Sequence, residues 1–254
     1  MEETENKIWK SFLKGINEFN MIKDGDRIAV GISGGKDSLL LISLLKRVRE
    51  EKIVNFEYEG ITIDQGYEKT DLEKMSSYLI EKEIKNTIVD SNIWKVVFDE
   101  REEKNPCSLC SKMRKGILYR EAEKRNCNKI ALGHHLDDIV ETVLINMFYS
   151  GNIKTMLPSV KSETGKFEVI RPLCYVNESD IISFTKYSAT PAMKCGCKMY
   201  EYKHDSKRLQ TKVMLTVMQR KNSEIKSSIF NSLKNVDTGY MELDNIIKKG
   251  DKGA

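Results

Sequence analysis

Ile28-Ala29-Val30-Gly31-Ile32-Ser33-Gly34-Gly35-Lys36-Asp37-Ser38-Leu39-Leu40-Leu41-Ile42-Ser43-Leu44-Leu45 is the stretch that decides the fold of this chain. Ile28 to Ile32 reads as a buried strand and Leu39 to Leu45 as the helix that follows. Between them lies a tight glycine turn. A strand, a turn and a helix N-terminus form an anion site, because successive backbone N–H groups converge there and the helix dipole adds partial positive charge. Gly34 and Gly35 let the backbone turn sharply and come close to a ligand without a Cβ in the way. Lys36 adds a mobile charge, and Ser33 and Ser38 carry hydroxyl donors. The spacing is not that of a Walker A loop, which needs G-x-x-x-x-G-K-[ST]. The expectation from these residues alone is phosphate binding.

Outward from this stretch, strand-like and helix-like segments alternate, as in an α/β fold with a mostly parallel sheet. Ile8, Phe12, Ile16 and Phe19 recur at three- and four-residue steps and predict an amphipathic helix over 8–19. Further strands are expected over 56–63, 86–89, 129–133 and 169–173. Helices are expected over 69–84, 108–125, 137–149 and 178–187, with more helix after Cys197. Residues 91–106 and 150–167 read as irregular, and Lys248 to Ala254 as an unpacked tail. The expected division is an N-terminal helix (1–23), a nucleotide-binding domain (24–200) and a helical extension (201–254). In open α/β sheets ligands lie outside the carboxyl ends of strands, so the loops at Ser33, Asp64 and His134 are expected to converge.

The chain has 254 residues, 40% hydrophobic and 31% charged, as in a globular protein. No apolar run approaches the roughly 20 residues of a transmembrane helix. Met1-Glu2-Glu3-Thr4-Glu5 lacks a signal-peptide core, so a cytoplasmic location with no membrane is expected. A net charge of +4 does not establish nucleic-acid binding. Lys203, Lys207, Arg208, Lys212, Arg220 and Lys221 nevertheless give the C-terminal third a basic character that suits phosphates.

Two further constellations carry chemistry. Gly133-His134-His135-Leu136-Asp137-Asp138 sits at a strand-to-helix junction. Asp137 and Asp138 suit a helix start as caps, and beside a triphosphate they are candidate Mg²⁺ ligands. Asp64 ends a strand before Gly66, where it is either a turn residue or a ribose or adenine contact. Among six cysteines, Cys107 and Cys110 form C-x-x-C at a helix start, and Cys195 and Cys197 form C-x-C. Cys127 and Cys174 stand alone and read as packing residues. Four thiolates suit a closed zinc site, two a redox disulfide, and three an iron–sulfur cluster with one open iron. Spacing does not separate these, and residue chemistry alone puts zinc slightly ahead.

The hexapeptide Ser33 to Ser38 resembles the PP-loop of the ATP pyrophosphatases, which implies cleavage of ATP between its α and β phosphates. The segment Pro106-Cys107-Ser108-Leu109-Cys110-Ser111-Lys112-Met113-Arg114 extends the likeness. With Gly133 to Asp138, Asn146-Met147-Phe148-Tyr149-Ser150-Gly151, Arg171-Pro172-Leu173, Pro191 and Cys195, it resembles the tRNA 2-thiocytidine synthetases (TtcA-type), over about residues 8–215. That resemblance implies a Rossmann-like PP-loop sheet of the HUP type and a 4Fe–4S cluster on Cys107, Cys110 and a third cysteine. Cys195 maps onto the third position, although C-G-C replaces the family's frequent C-x-x-C, leaving Cys197 as an alternative or a fourth ligand.

The resemblance further implies ATP and Mg²⁺ on Ser33, Gly34, Gly35, Lys36, Asp37 and Ser38, with Asp64, Gly133 and His134 completing the nucleotide site. Asp37, Arg114 and Asp138 are the expected catalytic residues, with Arg114 one helical turn after Cys110. The implied reaction adenylates a cytidine O2 in tRNA and replaces it with sulfur, supplied by a cysteine desulfurase or by sulfide. A homodimer is implied too. Rival readings are a PP-loop thiolase acting on uridine, whose flanking zinc-binding cysteine pairs this chain lacks. A PP-loop synthetase for a small molecule and a zinc-stabilised RNA-binding module are the others.

Overall fold

Strand β1 (Arg27–Ile32) lies at the centre of a six-stranded sheet of order β3-β2-β1-β4-β6-β5. The structure, a computed structural model, describes residues 2–100, 106–193 and 207–237. Cys195, Cys197 and the tail from Lys248 lie outside the described residues. β2 (Glu57–Ile63) and β4 (Lys129–Ala131) flank β1, both parallel to it. β3 (Asn86–Val89) extends the β2 side and β6 (Glu168–Ile170) the β4 side, again in parallel. Only the edge strand β5 (Ser159–Lys161) runs antiparallel, against β6. The order reverses between β1 and β4, which opens a crevice at their carboxyl ends.

Each strand except β5 feeds a helix or a loop at that same end. Helices α1 (Glu2–Glu18), α2 (Lys36–Glu50) and α3 (Lys69–Glu81) belong to the first half of the chain. A six-residue π-helix (Lys95–Glu100) precedes α4 (Pro106–Lys124). After them come α5 (Leu136–Ser150), α6 (Glu178–Tyr187), α7 (Lys207–Lys221) and α8 (Ile225–Ser232). The middle of α2 is apolar on every side, and Leu39, Leu40, Leu41, Ile42, Leu44 and Leu45 are all buried. Such a helix has to sit between the sheet and a further layer. That layer is α1 and α6: Ile8, Phe12 and Ile16 join α2, Ile181 of α6, Leu215 of α7 and Phe230 of α8 in one core cluster. The smaller cluster on the other face holds Ala29, Ile61, Ile130, Leu118 and Ala122, so α4 covers the sheet there.

Lys129 shows how the sheet tolerates a buried charge. Its ammonium lies 3.0 Å from Asp26 and 3.1 Å from Glu168, and donates to the Met21 carbonyl at 2.8 Å. The aliphatic stem can then be buried in the strand, because every ammonium proton has a partner.

Sequence expectations hold for every parallel strand and for the helices, with three differences. α1 begins at Glu2 rather than near Ile8, since Glu2, Glu3 and Glu5 in its first turn suit the helix dipole without adding to the apolar repeat. β5 lies in the stretch read as loop; three residues between Pro158 and Gly165 are too few to show a period. The π-helix lies in the stretch read as irregular.

Candidate active site

The phosphate loop is knitted by its own hydroxyls. Ser38 Oγ accepts from Ser33 N at 3.2 Å and donates to the Gly35 carbonyl at 2.9 Å, and Ser33 Oγ lies 3.3 Å from it. Gly34 has φ +72° and Gly35 takes the extended N-cap position of α2. Met193 lies on this loop, donating its N–H to the Gly34 carbonyl at 2.8 Å. A Cβ on Gly34 would stand 1.9 Å from Met193 Cε. Gly133, after β4, approaches so closely that a Cβ there would meet Asp37 C and Ser38 N at 3.1 Å. The β1 and β4 loops therefore touch through glycine.

A cavity of about 700 Å³ opens beside them, lined from β1, β2, β5 and β6 and from the residues that follow β4. Ser33, Asp37 and Ser38 line it from the phosphate loop, Gly133, His134 and Asp138 from the β4–α5 junction, and Ser111 and Arg114 from α4. The volume suits a nucleotide-sized ligand. Among the described residues four buried side-chain atoms accept or donate no hydrogen bond: Arg114 Nε, His134 Nδ1, Arg171 Nε and Asp37 Oδ1, the last held only by the Lys36 ion pair at 3.1 Å. All four residues line this cavity. Buried polar atoms are ordinarily satisfied, so their concentration in one place marks a site built for a ligand.

Asp138 is held on two sides. Its Oδ2 accepts from His135 N at 3.1 Å while Asp138 N donates to His135 Nδ1 at 3.4 Å, a capping box at the α5 start. Its Oδ1 is bound by Arg208 of α7, whose Nε also reaches Glu141 at 2.7 Å. Lys36 lies 3.2 Å from Glu178 of α6 and 3.1 Å from Asp37. Burial works against the Lys36 charge, but these two carboxylates outweigh it and hold its pKa above the ordinary value. Burial alone would raise the Glu178 pKa as well. Instead the Lys212 hydrogen bond and the Lys36 charge draw it down to about 2.

His134 is neutral. Burial, aided by the Arg171 charge, pushes its pKa down to about 4. An unfolded histidine titrates near 6.5, so between these values the unfolded chain binds a proton that the folded chain does not. Stability is then lost as pH falls through this window and is unaffected above it. Wild type is expected to lose up to about 1.4 kcal/mol per pH unit from this group, and a His134→Gln variant to lose less. Urea melts at pH 7.0, 6.0 and 5.0 measure the difference; parallel lines for the two proteins would refute it.

Not every expected residue reaches the cavity. Asp137, read as a candidate Mg²⁺ ligand, is buried and turned away. Its Oδ2 accepts the first amide of α6, Glu178 N, at 2.8 Å, and its Oδ1 is bound by Lys226 of α8. Its role is to dock two helices. Asp64, read as a nucleotide contact, closes its own turn by accepting from Gly66 N at 2.9 Å and Tyr67 N at 3.1 Å. It does not line the cavity. The residue that does is Tyr67, whose hydroxyl donates to the Ser33 carbonyl at 3.0 Å. Lys36, read as a phosphate ligand, is turned to Glu178.

Cys107 is exposed and Cys110 half-buried in the first turn of α4, one turn before Arg114. The Cys110 thiol donates to Gln65 Oε1 at 3.2 Å, Gln65 Nε2 donates to Tyr67 at 2.8 Å, and Tyr67 continues to Ser33. A hydrogen-bonded row thus joins the C-x-x-C turn to the phosphate loop. Among the described residues no group of three or more Cys, His, Asp and Glu is arranged to hold a metal ion. No described helix is long and apolar enough to cross a membrane.

Residues 3–191 match the PP-loop domain family. The chain is 38% identical over 239 residues to the tRNA-cytidine(32) 2-sulfurtransferase of Geobacter sulfurreducens, covering 92% of this chain and 91% of the relative. It is 36% identical over 236 residues to the protein of the same name from Geotalea uraniireducens, covering 92% and 93%. Among solved structures it superposes on the U34-tRNA thiolase NcsA from Methanococcus maripaludis with its 4Fe–4S cluster. There the TM-score is 0.76, with 22% identity over 92% of this chain and 80% of that chain. At that identity the likeness bears on the fold alone. The sheet, the phosphate loop and the two relatives agree: the chain belongs to the PP-loop family and, within it, to the tRNA-cytidine(32) 2-sulfurtransferases.

Proposed function

We propose that this chain thiolates a cytidine in tRNA at the expense of ATP, with cytidine 32 as the target its relatives' names specify. The observation that carries the reading is the concentration of buried polar atoms without a hydrogen bond, on Asp37, Arg114, His134 and Arg171, around one nucleotide-sized cavity beside the phosphate loop. The loop amides and the α2 N-terminus hold the triphosphate. Lys36, already charged, exchanges Glu178 for phosphate oxygen. Asp37 and Asp138 are the carboxylates beside the phosphate loop, and Asp37, whose Oδ1 pairs with Lys36, would hold Mg²⁺ once Lys36 turns to phosphate. When bound, Mg²⁺ spreads the charge on departing pyrophosphate.

The cytidine O2 attacks the α-phosphorus, an O–P bond forms, and the bond to pyrophosphate breaks. Arg114 stabilises the charge that develops on the α-phosphate. The C2–O bond then breaks as sulfur takes its place, and AMP leaves. Cys107 and Cys110 suit a 4Fe–4S cluster as two thiols of one helical turn at the edge of the site. The third ligand in this reading is Cys195, two residues after Met193 on the phosphate loop. A cluster held by these cysteines would supply the sulfur. The same reading includes a homodimer, a cytoplasmic location and sulfur from a cysteine desulfurase or from sulfide.

Thionucleosides in digested total tRNA, quantified by mass spectrometry in a strain lacking the gene and in its parent, test the reading. Selective loss of 2-thiocytidine is expected. Loss of a thiouridine in its place would move the substrate, and survival of every thionucleoside would contradict tRNA thiolation.

A further inference from the structure

Arg171 is the cavity residue whose position nothing above explains. It follows β6 at the carboxyl edge of the sheet, two strands from β1. At about 4.8 Å per strand this places its backbone roughly 10 Å from the phosphate-loop strand. Its backbone is fixed: Arg171 N donates to the Pro158 carbonyl at 2.8 Å, and Pro172 restricts it to extended conformations. One end of the guanidinium is fixed as well, Nη1 donating to the Leu157 carbonyl at 2.5 Å. Nε is buried with no partner. Among the described residues no carboxylate pairs with it; its electrostatic neighbours are Tyr119, Lys115 and His134. The acids that line the cavity are engaged elsewhere: Glu163 by Lys115 at 2.7 Å, Asp138 by Arg208 and Asp37 by Lys36 at 3.1 Å.

A half-buried guanidinium whose Nε is sealed from water, with no described carboxylate beside it, is costly, and it cannot escape by losing its proton. The cost is reasonable only if an anion arrives. A neutral base edge would leave the charge uncompensated, whereas a phosphate diester or monoester offers two oxygens to the guanidinium fork.

We propose that Arg171 is a phosphate-ester ligand of the reacting complex, separate from the phosphate loop. Two phosphates share that chemistry: the α-phosphate of the bound nucleotide, and the tRNA backbone phosphate next to the base being modified. The inference rests on the ATP-dependent tRNA reading above. Arg171 positions this phosphate, and Arg114, across the cavity on α4, faces the same space.

The test compares wild type with Arg171→Met and Arg171→Lys. Dissociation constants are measured for AMP, for a non-hydrolysable ATP analogue, for inorganic pyrophosphate and for unmodified tRNA, and melting temperatures are taken without ligand. Arg171→Met is expected to melt no lower than wild type, since it removes an uncompensated charge. It should bind either AMP and the ATP analogue, or tRNA, at least tenfold more weakly, with partial recovery in Arg171→Lys. Weakened nucleotide binding assigns the α-phosphate, and weakened tRNA binding with intact nucleotide binding assigns the RNA phosphate. Pyrophosphate should bind all three proteins alike. Equal binding of every ligand by Arg171→Met would overturn the proposal, as would a loss that lysine does not recover and that accompanies a lower melting temperature. If wild type itself binds neither nucleotide nor tRNA, the underlying functional reading fails first and takes the inference with it.

Discussion

Replacing Gly34 with valine is expected to lower ATP-dependent turnover by about a hundredfold or more and to destabilise the protein by about 2 kcal/mol. Two independent facts converge on this position. Its φ of +72° is in the left-handed region, where a β-branched residue is strained wherever it is placed. Its missing Cβ also faces Met193: a Cβ there would stand 1.9 Å from Cε, with Cγ and Cβ of Met193 at 3.1 and 3.2 Å. Moving the terminal methyl is easy, but moving the methionine stem means giving up its hydrogen bond to the Gly34 carbonyl. The neighbouring glycine is the control. Gly35 has ordinary dihedrals, and a Cβ there would meet Ser33 Oγ at 3.5 Å, an ordinary contact. Thermal melts should therefore show Gly35→Ala near wild type and Gly34→Val well below it. Equal melting temperatures and equal turnover for the two would show that neither the left-handed backbone nor the Met193 contact matters.

The second large effect is chemical. Cys107→Ser and Cys110→Ser are each expected to reduce 2-thiocytidine formation by three orders of magnitude or so, while leaving affinity for a non-hydrolysable ATP analogue within about twofold. Neither thiol lines the nucleotide cavity, and the link from Cys110 to it runs through Gln65 and Tyr67. Serine preserves the size and the hydrogen bond to Gln65 but is a poor iron ligand. Isothermal calorimetry with the analogue and nucleoside analysis of the product separate the two effects. A structural zinc site would behave otherwise: the variants would melt lower and lose nucleotide affinity together.

The parts of this molecule that could be read from sequence are those whose signal is local. Ser33 to Ser38 combines a strand, glycines and a helix start in one continuous run, so the phosphate loop and its place at the end of β1 follow directly. The sheet's parallel strands were legible because each is a short apolar run followed by a helix. The meaning of carboxylates was not legible in the same way. Asp137 and Asp138 are neighbours in sequence, yet successive residues on a helix face different directions. One docks α6 and α8, and the other faces the cavity.

Asp64 closes a turn while Tyr67, three residues on, supplies the contact to Ser33. A clue to that turn was present in Gly66, whose φ of +95° requires a tight reversal there. Arg171 stands in the Arg-Pro-Leu run that carries part of the family resemblance, but that no described carboxylate pairs with it is a three-dimensional fact. The pairing of Lys36 with Glu178, and of Asp138 with Arg208, joins residues far apart in the chain, which no local pattern encodes.

One consequence concerns α7. Arg208 and Lys212 hold Asp138 and Glu178, so the basic helix suited to phosphates is tied to the acids of the ATP site. Lys212, Glu178, Lys36 and Asp37 form a continuous row of alternating charge from that helix to the phosphate loop. A nucleotide that draws Lys36 away leaves Glu178 with Lys212 as its remaining partner.

The most direct measurement is a single turnover under anaerobic conditions, with cluster-reconstituted protein, sulfide, radiolabelled ATP and unmodified tRNA. The account predicts one AMP and one pyrophosphate released for each 2-thiocytidine formed, and neither product without tRNA beyond a slow background. Release of ADP and phosphate, or 2-thiocytidine formed without ATP cleavage between the α and β phosphates, would contradict it.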